Sequence, residues 1–245
     1  MKHNAVVPDH SSKLSKKEQV AGMFNDIAGK YDFLNHALSM GIDKGWRKKA
    51  IKSIESVQPR RILDIATGTG DLALAAAAYY PDSVVTGLDI ASQMLAMGTE
   101  KIKARNLQER IHMELGDSEQ IAHGDHSFDA VLCAYGTRNF QDLEKGLSEM
   151  CRVLKPGGRV AILEFSHPRN FPVKQVFGFY FKYVLPFLGR VISRHSTAYT
   201  YLPESVMAFP EGAAFCDIMR ACGFSDVSAR PLTFGITSLY TGVKP

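Results

Sequence analysis

A chain of 245 residues with 45% hydrophobic and 22% charged side chains suits one domain, or one domain with an added lobe, whose core needs no staples. That composition excludes the disordered and fibrous classes. The formal charge of +4 gathers before Arg61, where basic residues outnumber acidic ones roughly two to one, and an ordinary solvated helix face accounts for it better than nucleic acid or an anionic membrane does. Cys133, Cys151, Cys216 and Cys222 form no C-x-x-C pair, so they read as reduced core residues rather than a disulfide framework or zinc site. The opening "MKHNAVVPDHSSKLSKKEQ" lacks the apolar stretch of a secretory signal.

Residues 1–14 are polar and aperiodic, which predicts a frayed tail. From residue 15 to 58 the spacing turns helical: "VAGMFNDIA", "YDFLNHAL" and "WRKKAIKSI" repeat apolar residues every three or four positions, with Gly29, Gly41 and Gly45 as expected breaks. This is a helical N-terminal cap. From residue 59 onward short β-rich runs alternate with helical stretches, at Arg61–Ile65, Val84–Asp89, Ile111–Leu115, Phe128–Ala134 and Arg159–Phe165. Such alternation needs crossover connections and so a parallel sheet. "KPGG", Lys155 to Gly158, reads as a stop and turn before the fifth strand.

An insert at about 168–203 interrupts the alternation. Its segment "FPVKQVFGFYFKYVLPFLGRVI" is aromatic, yet Lys174, Lys182, Arg190 and Pro186 argue against a membrane span, which needs about 20 mainly apolar residues. A helical flap fits better. "EGAAFCDIMRACGF" then predicts a helix ending at Gly223, followed by strands at Asp226–Ala229 and Ile236–Gly242.

The turn "RILDIATGTGD" carries the chemistry. Gly68, Thr69, Gly70 and Ala73 fit G-x-G-x-x-A, and Asp89 follows Gly70 by 19 residues, where a ribose-binding acid is expected. A structural turn would read the same way. Asp64, closing the first strand, suits a ligand with a positive amino group, whereas a dinucleotide would bring an anionic pyrophosphate there. In "GDSEQI", Asp117 stands where it could bond an adenine amino group, or where it could simply start a turn; Ser118 could cap a helix.

"FDAVLCA" and "RVLKPGGRVAILEF" resemble the second half of class I S-adenosylmethionine-dependent methyltransferases. Together with "MFNDIAGKYDFLNHALSMGIDKGWR", "GLDIASQML", "AYGTRNF" and "EFSHP", they resemble the ubiquinone/menaquinone biosynthesis C-methyltransferase family over about residues 20–245. "AYTYLPESVMAFP" resembles the menaquinone branch more. Ala66 replaces the usual first glycine of D-x-G-x-G-x-G, as is common in this family.

The resemblance implies an α/β fold: a Rossmann-like, mostly parallel sheet with an antiparallel C-terminal strand, N-terminal helices and an inserted helical flap. It implies S-adenosyl-L-methionine as cofactor, with Gly68, Thr69 and Gly70 at its methionine end, Asp64 at its amino group, Asp89 on the ribose, and Asp117 with Ser118 at the adenine. No metal is implied. The implied acceptor is a ring carbon of a polyprenylated naphthoquinol, or of a benzoquinol in the other branch. Only the reduced ring is electron-rich enough to attack, and its hydroxyl, with a pKa of about 10, needs a base or cation. Arg138 is the candidate cation and Asn139 an orienting partner, against a loop-holding salt bridge and a turn asparagine. His195, Tyr199, Tyr201 and Tyr31 are further wall candidates. Lysines along the flap would let it rest on a membrane while its aromatics open a path for the isoprenoid tail. The implied setting is cytoplasmic, peripheral at the inner face of the membrane, with a homo-oligomer left open and no nucleic-acid partner. N-P-P-Y or D-P-P-Y, expected of base-modifying enzymes, is replaced by "AYGTRNF".

Overall fold

The computed structural model describes residues 2–39, 41–179, 183 and 197–245. Seven strands form one sheet in the order β3-β2-β1-β4-β5-β7-β6. They are β1 Arg61–Ile65, β2 Val84–Asp89, β3 Ile111–Leu115, β4 Phe128–Ala134, β5 Leu154–Phe165, β6 Ser225–Leu232 and β7 Thr237–Val243. β1 to β5 are parallel; β7 runs antiparallel to β5, and β6 to β7. The strand order reverses between β1 and β4. At such a switch point the loops at the carboxyl edge diverge and leave a crevice for ligands.

The near-continuous apolar runs of β1 and β4 follow from burial on both faces. On one face Leu63, Ile65, Val131 and Ile162 pack with Phe128, Leu147, Met150, Phe215 and Tyr240. These come partly from α5 (Leu143–Val153) and α8 (Ala213–Ala221). On the other face Ile62, Val85, Leu132 and Leu163 meet Trp46 and Ile51 of α2 (Ile42–Ser53) and Leu72 and Ala76 of α3 (Asp71–Tyr79). The helix α4 (Ser92–Lys103) packs against α1 (Lys16–Ser39), where Ala28, Met94, Phe24 and Tyr31 make a small third cluster.

Several local expectations change. α1 runs through Gly29 and α2 through Gly45, because a glycine in a helix costs only about 1 kcal/mol and packing against neighbours outweighs it. The "KPGG" segment sits inside β5 as an irregularity opposite β4, between the pairs Phe128–Leu154 and Ala130–Arg159. Residues 1–14 were expected to fray. Instead Lys2–Ala5 form a 3-10 turn and the His3 side chain is buried against Phe209, since its ring gains an apolar wall. Within the insert, α6 covers Val173–Phe179 and α7 covers Thr197–Ala208. His195 lies outside the described residues, as does the side chain of Tyr199. No helix among the described residues is long and apolar enough to cross a membrane.

Candidate active site

β1 and β4 each leave the sheet through a residue in left-handed conformation, Ala66 (φ 54°) and Tyr135 (φ 60°). That geometry costs roughly 1–2 kcal/mol for a residue with a side chain and turns both loops sharply at the switch point. Gly136 makes the pair of turns fit. A Cβ there would stand 2.5 Å from the Ala66 Cβ and 2.9 Å from Cys133 Sγ. The alanine in place of the first glycine is therefore complemented by a glycine on the neighbouring loop.

Between these loops opens a cavity that is continuous with solvent and has α1 along one wall. The loops after β1, β2 and β3 contribute Gly68, Asp89, Asp117 and Ser118; the loop after β4 contributes Tyr135 and Asn139; α1 contributes Lys17, Phe24 and Tyr31. Five of the nine residues singled out from sequence thus share one cavity. Asp64, Thr69, Gly70 and Arg138 do not line it.

Asp89 is held ready for an incoming donor. Its Oδ2 accepts from Gly68 N (2.8 Å) and its Oδ1 from Ala91 N (2.8 Å), leaving a further lone pair on each oxygen. Burial pushes its pKa up. Gly68 has φ 57°, so the turn presents its N–H to Asp89 without a strained side chain. Asp117 both starts a turn, accepting from Glu119 N at 2.9 Å, and faces the cavity, where Lys17 of α1 pairs with it. Lys17 also reaches Glu119 at 3.1 Å.

Asp64 lies under the turn, 1% exposed. Thr67 Oγ1 donates to its Oδ2 at 2.6 Å, while Oδ1 has no partner, and burial pushes its pKa up to about 7. A nearby ammonium would answer both features. Thr69, expected at the methionine end, turns its hydroxyl elsewhere: it donates to Asp32 Oδ1 (2.5 Å) and accepts from Lys101 Nζ (3.0 Å). Lys101 also bridges Asp32 and Asp71, so the charged side chains of α1, α3 and α4 draw this hydroxyl away from the cavity. Gly70 (φ 79°) starts α3 and sits against Met113.

Arg138 is 7% exposed, and its Nη1 pairs with Glu164 Oε1 at 2.8 Å and with the Tyr135 carbonyl. Glu164, fully buried on β5, also accepts from Arg138 N (3.2 Å) and Thr137 Oγ1 (3.1 Å). The loop-holding ion pair is thus present. Three buried polar atoms remain without partners around this turn: Arg138 Nε, Asn139 Oδ1 and Tyr201 Oη. Buried polar groups are normally satisfied, and of these three orphans the Asn139 Oδ1 belongs to a residue on the cavity wall.

A family model for the ubiE/COQ5 methyltransferase family matches residues 12–244. The chain belongs to that family. It is 46% identical over 238 residues to the demethylmenaquinone methyltransferase of Bacteroides fragilis, covering 97% of each chain. It is 44% identical to the protein of that name from Porphyromonas gingivalis, covering 97% of this chain and 98% of that one. It is 47% identical to the ubiquinone/menaquinone biosynthesis C-methyltransferase UbiE of Geobacter sulfurreducens, covering 94% and 90%. Among solved structures, the [4+2]-cyclase SpnF superposes with a TM-score of 0.63 at 15% identity, covering 94% and 96%. A SAM-dependent methyltransferase from Aquifex aeolicus gives 0.57 at 16% identity, covering 80% and 89%. The fold is that of class I methyltransferases, as the sequence implied, and the protein is a methyltransferase.

Lys17 and the wider role of α1 had no signal in the sequence beyond helical spacing. Tyr31, expected on the wall, lines the cavity.

Proposed function

We propose that this methyltransferase carries a methyl group from S-adenosyl-L-methionine to a ring carbon of a polyprenylated naphthoquinol, converting demethylmenaquinol to menaquinol. The observation that carries the reading is the single cavity in which Asp89, Gly68 and Asp117 face the same space as Asn139 and Tyr135. The near full-length likeness to relatives named demethylmenaquinone methyltransferase supports the acceptor. The cofactor supplies an electrophilic sulfonium methyl.

Asp89 would take the ribose hydroxyls on its remaining lone pairs, and Asp117 the adenine amino group as Lys17 yields it. Ser118 would lie beside the adenine. The orphaned Asp64 Oδ1 would be reached by the amino group from above the turn, with Gly68, Thr69 and Gly70 as the intervening backbone. On the acceptor side, Asn139 Oδ1 and the free Nε–H of Arg138 would hold the quinol oxygen, one accepting and one donating. An opposite charge within hydrogen-bonding range lowers a phenolic pKa by about 1–3 units. Glu164 already neutralises part of the Arg138 charge, which places that help toward the low end. The remaining acceleration then rests on positioning, which contributes roughly 7–11 kcal/mol in well-oriented systems.

The flap and its surroundings support a peripheral membrane contact at the cytoplasmic face. Phe171 is 81% exposed, with Val176, Phe179 and Met207 also exposed and Lys174 among them. Changing Phe171, Val176 and Phe179 to serine should abolish co-flotation with anionic liposomes; undiminished flotation of the folded variant removes the membrane contact.

Labelled S-adenosyl-L-methionine incubated with reduced demethylmenaquinone and, separately, a reduced benzoquinone tests the function. Label is expected in the naphthoquinol alone, and only after reduction. Equal label in both favours the broader acceptor range suggested by the name of the Geobacter sulfurreducens relative. Label in neither overturns the proposal.

A further inference from the structure

Lys16, in the first turn of α1, is 4% exposed, and among the described residues no carboxylate makes an ion pair with its ammonium. Its Nζ donates to two backbone carbonyls instead, those of His3 (3.0 Å) and Arg138 (3.2 Å). A buried ammonium that touches no counter-ion and has only the longer-range field of Glu119 to offset its burial is costly, so its placement needs a reason. The Arg138 carbonyl belongs to the peptide that leads into Asn139, the residue on the cavity wall. Glu164 fixes the other side of the same residue, through the Arg138 N–H and guanidinium. Arg138 is therefore held by Glu164 at its N–H and guanidinium and by Lys16 at its carbonyl, while the N–H at the other end of the Arg138–Asn139 peptide donates to the Gly136 carbonyl (2.9 Å).

From this geometry we infer that Lys16 is a positioning residue for methyl transfer: its ammonium sets the Arg138–Asn139 peptide plane, and so aims the Asn139 amide into the cavity. The inference rests on the reading of Asn139 as an acceptor-side residue. The next residue, Lys17, grips Asp117 and Glu119 across the mouth, and Glu119 in turn accepts from Gln141 N (2.8 Å) and Asp142 N (3.1 Å). Consecutive lysines thus tie the acceptor turn and the adenine loop to one helix, and Glu119 ties those loops to each other.

The arrangement makes the grip sensitive to alkali. Burial brings the Lys16 pKa down to about 8, with Glu119 opposing the drop and Arg138 adding to it. The other groups at this junction are His3, whose ring burial and Lys16 hold near 4, Asp142 beside His3, and Tyr201, whose phenol burial pushes up. None of these explains a loss of function near pH 8. The linkage sign separates positioning from stability. A lysine whose pKa is lower in the folded than in the unfolded chain adds stability as pH rises from about 8 toward 10.5. A decline in turnover over that range is not unfolding driven by Lys16.

The test uses the full chain and Lys16→Met. Wild-type kcat with reduced demethylmenaquinone is expected to fall above about pH 8. The variant should have kcat at least tenfold lower at pH 7, no further fall near pH 8, and quinol KM and S-adenosylhomocysteine Kd within twofold of wild type. Amide hydrogen exchange over residues 135–142 should quicken while β1 is unchanged. Wild-type kcat, a persisting alkaline limb or unchanged exchange in the variant overturns the inference. If Lys16→Met does not fold, protection of the same peptide in the wild-type chain decides: loss above pH 8 supports the grip and constant protection refutes it. A wild-type chain that methylates no quinol overturns the proposed function, and the exchange measurement still decides on Lys16.

Discussion

Glu164 is the most consequential single carboxylate in the acceptor half, and its removal can be worked through. The side chain is fully buried and accepts from Arg138 Nη1 (2.8 Å), Phe165 N (3.0 Å), Thr137 Oγ1 (3.1 Å) and Arg138 N (3.2 Å). Glu164→Gln keeps an acceptor of the same shape but strands a guanidinium that is itself 7% exposed. Breaking a buried pair by removing one partner costs about 3–5 kcal/mol. In a chain of this size each kcal/mol lowers Tm by about 2–4 °C, so a drop on the order of 6–20 °C is expected. Arg138→Met should be milder, because Glu164 keeps three donors. The double variant lacks both members of the buried pair and should unfold in urea later than the sum of the single losses predicts. It should also bind S-adenosylhomocysteine within twofold of wild type and transfer no methyl group. Additivity within about 0.5 kcal/mol, or a Tm drop under about 3 °C for Glu164→Gln, would refute the picture of a coupled buried pair holding this turn.

Other outcomes follow from neighbouring contacts. Gly136→Ala should lose about 1–3 kcal/mol by overpacking against the Ala66 Cβ at 2.5 Å. Adding Ala66→Gly should recover part of that loss, and urea midpoints showing no recovery would disconnect the two loops. Asp64, with its pKa pushed up to about 7 by burial, binds a proton in the folded chain that the unfolded chain lacks. Wild-type Tm should therefore rise as pH falls from 8 to 6.5, above the range where buried His3 titrates, and Asp64→Asn should lack that rise. Lys17→Met should cost more than the roughly 1 kcal/mol or less of an exposed pair, because it breaks both the 30% exposed pair with Asp117 and the pair with buried Glu119. It should also speed release of S-adenosylhomocysteine several-fold in stopped flow; an unchanged release rate would show that the pair does not hold the cavity mouth.

How much of this was legible in the sequence depends on the range over which each feature is set. The five parallel strands and their helices are local patterns of apolar spacing, and the carboxyl-edge positions of Asp89, Asp117 and Asn139 follow once a parallel sheet is granted. Thr69 and Arg138 have surroundings that the sequence does not show, for a shared reason. Each has a charged partner distant in sequence, Lys101 and Asp32 for the first and Glu164 for the second, and a motif shows only the residue. The same holds for the N-terminal segment. Its polar, aperiodic sequence gives no sign that Lys16 reaches the carbonyls of residues 3 and 138, because backbone acceptors leave no trace in side-chain pattern.

α1 gathers these long-range contacts into one element. Lys16 grips the acceptor turn, Lys17 the adenine loop, Asn25 Oδ1 accepts from Gln93 N (2.9 Å) at the start of α4, and Asp32 takes the Thr69 hydroxyl. Each contact except that of Lys16 is partly exposed and individually worth about 1 kcal/mol or less. Apolar packing adds to them, since Val20 and Ala28 of the same helix are buried and Ala28 packs against Met94. Because Phe24 and Tyr31 lie on the same helix between its two ends and line the cavity, lifting would expose apolar wall as well as break polar contacts. A ligand that covers that wall would bury it further and so add to the hold of α1 on the site.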